Sequence, residues 1–393
     1  MSNAASSPVA ASRAFVLVVV TLIGLHACMA ATRMAASLAV LQQGLPEWTV
    51  GALLSLYGLA PIALSLWAGG MADRHGFHRP VALSVVAGVV GALLPVFTQH
   101  LVALALSGLL TGGALSFAAV AIQREAGQMA RDAGDLKRVF SWVALGPALS
   151  NTFAPVVAGL LIDHAGFGAA FAFGALLPLV AVWAAWQVPR APQVQAAQAG
   201  ERVPQGSAFD LLRLPVLRNL LLVNVAMAAS WDAHTFTVPV VGHARELSAS
   251  AIGMVLGAFA VASTLVRLAI SAYSHRIGEQ RALKAAILVA STVLLVYAWL
   301  PGAVGMMVGS ALLGLALGSV QPMVLSILHQ AAPAGRQGQT LGLRMLFTNA
   351  ATIAMPLGFG LLATATSHAA PMWLMAVLAL VALWPASRLT PKT

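Results

Sequence analysis

The chain has 393 residues, of which 60% are hydrophobic and only 8% charged, against about 25% charged in an ordinary soluble domain. So small a polar set cannot cover a water-soluble globule, which excludes a soluble enzyme and a disordered chain; the lone Cys28 excludes a disulfide scaffold. The formal charge of +10 could suggest nucleic acid, but its placement between apolar stretches argues for membrane topology.

One membrane-spanning helix needs about 20 apolar residues, so the apolar set is enough for about twelve spans. Apolar stretches predict them at 15–41, 48–70, 80–97, 100–123, 139–162, 167–187, 214–240, 249–273, 282–300, 302–328, 341–365 and 369–387. They are expected to be all-helical, because in hydrocarbon each backbone polar group must be paired inside its own segment. The connections are short except for Val188 to Asp210, which holds Pro189, Arg190, Pro192, Gly200, Glu201, Arg202, Pro204 and Gly206. This polar stretch predicts an N-terminal six-helix bundle over 1–187, a cytoplasmic linker over 188–212 and a C-terminal six-helix bundle over 213–393.

At the start, Arg13 before an apolar run looks like a signal peptide, and Leu25-His26-Ala27-Cys28 resembles a lipoprotein cleavage box. His26 does not suit that box and the apolar run continues to Leu41, so the segment is read as the first span. Eighteen of the 21 Lys and Arg residues fall on one side of the predicted spans, from Arg13 and Arg74 to Arg388 and Lys392. The opposite loops hold only Arg245, while Arg33 and Arg267 fall within spans. The excess of basic residues predicts that both termini and the linker face the cytoplasm.

The two halves repeat. Val50-Gly51 aligns with Ile252-Gly253, and Arg74-x-Gly76-x-x-Arg79 with Arg276-x-Gly278-x-x-Arg281, both at an offset of 202. Leu109-Leu110 with Ser116 aligns with Leu312-Leu313 and Ser319 at 203, and Pro155-x-x-x-Gly159 with Pro356-x-x-x-Gly360 at 201. Parallel halves related about the membrane normal are a transporter architecture, with substrate held near the midplane.

The loop after the second span reads Gly69-Gly70-Met71-Ala72-Asp73-Arg74-His75-Gly76-Phe77-His78-Arg79. It resembles the signature of the major facilitator superfamily, a Gly-x-x-Ala-Asp-Arg-x-Gly pattern followed by basic residues. The repeat and the long middle loop extend this resemblance over essentially the whole chain. Phe77 and His78 stand where the family usually has two basic residues, and His275 replaces Asp73 in the second copy. The resemblance implies an all-α integral membrane protein, with twelve helices in two six-helix bundles related by a pseudo-two-fold axis. It also implies a cytoplasmic gate of Gly69, Asp73, Arg74, Gly76, Arg79 and Glu125. There Gly69 permits close approach, Asp73 caps the positive end of the eleventh helix around Gln339 to Arg344, and Arg74 pairs with Glu125. The fifth span carries Gly146, Pro147, Pro155 and Gly159, which partly resemble the family's antiporter motif; Leu149 and Ser150 occupy its paired-glycine positions. Ser107 lies near the place where proton-driven drug exporters of the family carry an Arg.

A charge inside a membrane helix is costly and marks a site of function by default. His26 and Arg33 are seven residues apart and share one face of the first span. Asp232 maps through the offset of 202 to Ala30 on that face, whereas His234 is turned away from it. His26, Arg33 and Asp232, with the polar mid-span residues Asn151, Asn224, Gln321 and Asn349, are the candidate substrate and proton cavity. Arg33 can bind an anionic substrate group or pair with Asp232, and both readings stay open here. Asp232 is the one acidic residue placed deep in a span and is the candidate proton carrier. Arg267 could anchor a substrate, with pairing or snorkelling the first reading, and Trp142, Trp231 and Trp299 are read as core or interface anchors rather than a ligand cage. His75 and His78 have no carboxylate or Cys cluster beside them, so no metal is expected.

The expected function is secondary active transport by alternating access in a bacterial inner membrane, most simply proton-coupled export of a small organic compound. The alternative is proton-coupled uptake of a small organic anion, on Arg33. No His-Glu-x-x-His, phosphate loop or Gly-x-Ser-x-Gly is present, so neither an enzyme nor a cofactor is expected. The expected partners are a small-molecule substrate, protons and the lipid bilayer, with no nucleic acid and a monomeric chain.

Overall fold

The computed structural model describes residues 12–129, 133–189, 208–273, 278–333 and 336–389. Within them the chain is helical throughout. The helices are α1 (Arg13–Gln42), α2 (Glu47–His75), α3 (His78–Phe97) and α4 (Leu101–Met129), followed by a helical stretch Ala133–Trp186. That stretch is two helices, because Gly166 has φ 82° and ψ 176°, a conformation an L side chain resists. The parts are α5 (133–165) and α6 (167–186). After them come α7 (Pro215–Ala244), α8 (Ala249–Tyr273), α9 (Glu279–Val296), α10 (Gly302–Ala331), α11 (Gln337–Ala365) and α12 (Ala370–Val381). A last turn, Leu383–Ser387, continues α12 after one residue.

Among the described residues nine segments are long and apolar enough to cross a membrane; one, Trp142–Trp186, is 45 residues and contains the break at Gly166. The polar residues Asn219, Asn224, Asp232 and His234 lower the hydropathy of α7. Proline lies inside α2, α3, α5, α6, α7, α10 and α11, at Pro61, Pro95, Pro147, Pro155, Pro178, Pro239, Pro322 and Pro356. Membrane helices tolerate such residues because neighbouring groups re-satisfy the freed carbonyls. The outward face is apolar. On α10, Val304, Val308, Leu312 and Leu315 form one exposed ridge, while Met306, Ser310, Leu313 and Leu317 are buried behind it. In water such a ridge would be an aggregation surface; in a bilayer it is the lipid face.

Contacts divide the chain into two units, residues 1–39 with 56–194, and residues 40–55 with 195–393. The start of α2 therefore belongs with the second unit. In the first unit, Phe15, Val18, Leu22 and Leu25 of α1 pack with Val81, Val85, Ala118, Ile122, Val143 and Ala181. In the second unit, α8 packs closely on α10, and α7 on α11.

The repeat is visible as one crossing made twice. A Cβ on Gly112 of α4 would collide with the carbonyl oxygen of Tyr57 on α2, and one on Gly314 of α10 with that of Phe259 on α8. Both glycines and both aromatics are related by 202 residues. Small residues at these points let the helix backbones touch, which is how membrane helices gain packing without a hydrophobic drive between them.

Candidate functional site

In the first unit, α1 turns a half-buried face outward at Ile23, His26, Met29 and Arg33, while Ala27, Ala31 and Ala35 behind it are fully buried. Beside this face is a hydroxyl cluster that the residue pattern alone does not reveal. Thr32 Oγ1 donates to the Cys28 carbonyl at 2.9 Å and lies 3.5 Å from Thr111 Oγ1 of α4. Tyr57 Oη points between Thr32 and Ser107, within electrostatic reach of Arg33, but meets hydrogen-bond geometry to neither hydroxyl. His26 Nδ1, Tyr57 Oη and Ser107 Oγ are all buried without a hydrogen-bond partner. Buried polar atoms are nearly always bonded, so the neighbouring Tyr57 and Ser107 hydroxyls suit a polar guest or water.

The fifth-span motif packs helices. Gly146 lies against Leu22 of α1, and Ser150 Oγ donates to the Ile23 carbonyl at 3.0 Å. Pro155 and Gly159 are buried, while Pro147 and Asn151 are half-buried.

Asp73 lies in the last turn of α2, which ends at His75 before Gly76 with its φ of 67°; the side chain of Asp73 and the surroundings of Gly69 lie outside the described residues. Arg74 and Arg79 are exposed. Glu125 near the end of α4 is 7% exposed, with His78 and Arg124 within electrostatic reach.

In the second unit, α7 carries Asn224, Trp231, Asp232 and His234. Asn224 Nδ2 donates to Thr348 Oγ1 of α11 at 2.8 Å and its Oδ1 accepts from Arg344 at 3.4 Å. Arg344, which the charge pattern places among the loop cations, is a buried residue of α11. Asp232 is 6% exposed. His234 is fully buried, stacked on Phe259 at 4.3 Å, and its Nε2 lies 2.8 Å from Ser310 Oγ. Tyr297 Oη lies 2.6 Å from the same hydroxyl. Gln321 of α10 and Asn349 of α11 are exposed. Arg33 belongs to the first unit and Asp232 to the second.

Also in the second unit, the start of α2 is bound to α11. Ser55 Oγ donates to the Ile353 carbonyl at 2.6 Å, and the Trp48 amide donates to Thr364 Oγ1 at 3.0 Å. Gly51 and Gly360 make this possible, since a Cβ on either would meet the opposing backbone. No group of three or more His, Cys, Asp or Glu able to hold a metal is found among the described residues.

The sequence profile of the Major Facilitator Superfamily matches residues 16–343. The chain belongs to this superfamily. A curated relative, the class G tetracycline resistance protein of Vibrio anguillarum, is 30% identical over 357 residues, covering 85% of each chain. Among solved structures, the major facilitator fold described here is similar to a nucleoside transporter, with a TM-score of 0.76, 13% identity, and coverage of 96% of this chain and 100% of that one. It is also similar to a peptide transporter bound to sulfate (TM-score 0.75, 16% identity, 96% and 95% covered). A bacterial homologue of the lysosomal transporter Spinster gives a TM-score of 0.72 at 15% identity, with 98% of each chain covered. At these identities the solved structures speak for the fold alone. The protein is thus a multi-pass membrane transporter of small molecules, and the polar residues inside its helices are where specificity can reside.

Proposed function

We propose that this transporter exports a small organic compound from a bacterial cell in exchange for protons, by alternating access. One observation carries the direction: 30% identity, over 85% of both chains, to a protein whose name states tetracycline resistance. A membrane transporter confers resistance by removing the compound. Proton coupling is supported by Asp232, a buried carboxylate seventeen residues from the start of α7, where a charge is expensive unless it is used. The basic loops support an inner-membrane orientation with both termini and the linker on the cytoplasmic side. The chain works as a monomer, with no nucleic-acid partner, because one chain carries both halves of the repeat.

The test is transport by purified protein in proteoliposomes, using tetracycline and a panel of other amphipathic compounds under pH gradients of either sign. Movement of a compound against the proton flow, abolished by a protonophore, is the expected result. Movement in the same direction as protons would identify uptake instead, and transport indifferent to the protonophore for every compound would contradict coupling.

A further inference from the structure

Arg267 of α8 has no carboxylate partner among the described residues. Its Nε donates to the Gly318 carbonyl of α10 at 3.3 Å, and its guanidinium carbon lies 5.8 Å from the centroid of the Trp231 ring on α7. The depth of these contacts is informative. Trp231 is sixteen residues from one end of α7 and thirteen from the other, and Gly318 is placed the same way in α10. Arg267 itself is six residues before Tyr273, the last described residue of α8, about 9 Å along the axis. A snorkelling arginine would reach outward to that end. This one reaches inward, to the middle level of its two neighbours.

We propose that Arg267 and Trp231, with Gln321, form a subsite that receives the carboxylate or other oxyanion of a planar organic compound. The proposal deepens the transporter reading and rests on it. A guanidinium has five N–H donors, and among the described residues only Nε is engaged, so the two Nη groups remain as a fork suited to a carboxylate. Arg267 and Trp231 are both half-buried and so can be approached. The Trp231 ring, held edge-on to Phe259 at 4.4 Å, adds a fixed apolar surface beside the fork. Gln321 is exposed one helical turn beyond Gly318 and brings an amide to the same side of α10. Gly318 itself lets α8 and α10 touch, since a Cβ there would come 2.7 Å from Ser263 Cα; its carbonyl is thereby within reach of Arg267. The arrangement belongs to the second half only. At the offset of 202, Ser65 stands for Arg267 and Met29 for Trp231, so the first half has neither the cation nor the ring. An uncompensated permanent cation at this depth is unfavourable unless an anion joins it, and a substrate anion does so during transport.

The experiment is equilibrium binding of radiolabelled salicylate, a planar carboxylate, to the purified full chain in nanodiscs without any gradient. Benzyl alcohol and benzylamine serve as neutral and cationic competitors. The wild type should bind salicylate, with neither competitor displacing it at equal concentration. Arg267→Gln should weaken binding tenfold or more, and Trp231→Phe should weaken it by a smaller factor. Arg267→Lys keeps the charge and loses the fork, so it should weaken binding severalfold with an unchanged thermal midpoint. Absence of salicylate binding to the wild type would overturn the proposal. So would unchanged affinity in Arg267→Lys, or displacement by benzylamine as effective as by unlabelled salicylate. Because no transport is measured, such a failure would leave export standing, and failed transport in proteoliposomes would leave the binding result intact.

Discussion

His368 Nδ1 lies 2.7 Å from Glu47 Oε1, and Thr364 Oγ1 donates to the other oxygen of the same carboxylate at 3.0 Å. These residues fasten the start of α2 to the end of α11, above the glycine contact of Gly51 with the Pro356 backbone. Half-exposed ion pairs contribute only about 0–1 kcal/mol, so Glu47→Gln is expected to shift opening at this end by at most about fivefold. Gly51→Leu should act far more strongly, because its side chain has no room against backbone. Alkylation of a single cysteine placed at Thr364, in a Cys28→Ala background, measures both. Equal accessibility in Gly51→Leu and the parent would show that the contact does not close this end.

Tyr57 gives a prediction in which stability and activity part company. Its buried hydroxyl has no hydrogen-bond partner among the described residues, so its removal forfeits no bond and relieves an unsatisfied group. Tyr57→Phe should leave the thermal midpoint unchanged or slightly raised, yet lower transport severalfold if the hydroxyl cluster with Thr32 and Ser107 holds a polar guest. A drop in midpoint with normal transport would assign Tyr57 a structural role alone.

The twin crossings should be equally intolerant of bulk. Gly112→Val and Gly314→Val each drive a side chain into a carbonyl oxygen of the facing helix, at Tyr57 and Phe259. Overpacking of this kind costs about 1–3 kcal/mol, so each should lower the thermal midpoint measurably while Gly342→Val, where a Cβ meets nothing, should not. Similar midpoints for all three variants would contradict the crossings.

Asp73 lies in the last turn of α2, three residues before the left-handed Gly76. Asp73→Asn removes the charge and keeps the shape, so folding should persist while transport falls and cytoplasmic cysteine accessibility rises. Unchanged transport and accessibility would remove Asp73 from the gate.

Much of the fold was legible because lipid imposes one rule on every span. Runs such as Ala249 to Tyr273 must be apolar and helical whatever their neighbours, and the Pro-rich stretch after Val188 could not enter hydrocarbon. The turn between the fifth and sixth helices was expected after residue 162 and falls at Gly166. The mid-span charges were likewise visible as exceptions to composition. Contacts between distant helices were not. Glu47 and His368 are 321 residues apart and each looks like an ordinary loop residue. Ser107, Thr111 and Tyr57 are common membrane-helix residues whose grouping depends on how α1, α2 and α4 cross. For Arg267 the sequence leaves substrate anchoring, pairing and snorkelling open, and only its geometry over Trp231 bears on the choice.

The most direct test of proton-coupled export compares wild type with Asp232→Asn in proteoliposomes under an inward proton gradient, with and without a protonophore. Wild type should concentrate substrate against its gradient and lose this with the protonophore, while Asp232→Asn should support at most exchange of substrate across the membrane. Concentrative, protonophore-sensitive transport by Asp232→Asn would contradict the assignment of the coupling proton to Asp232 and would direct attention to His26.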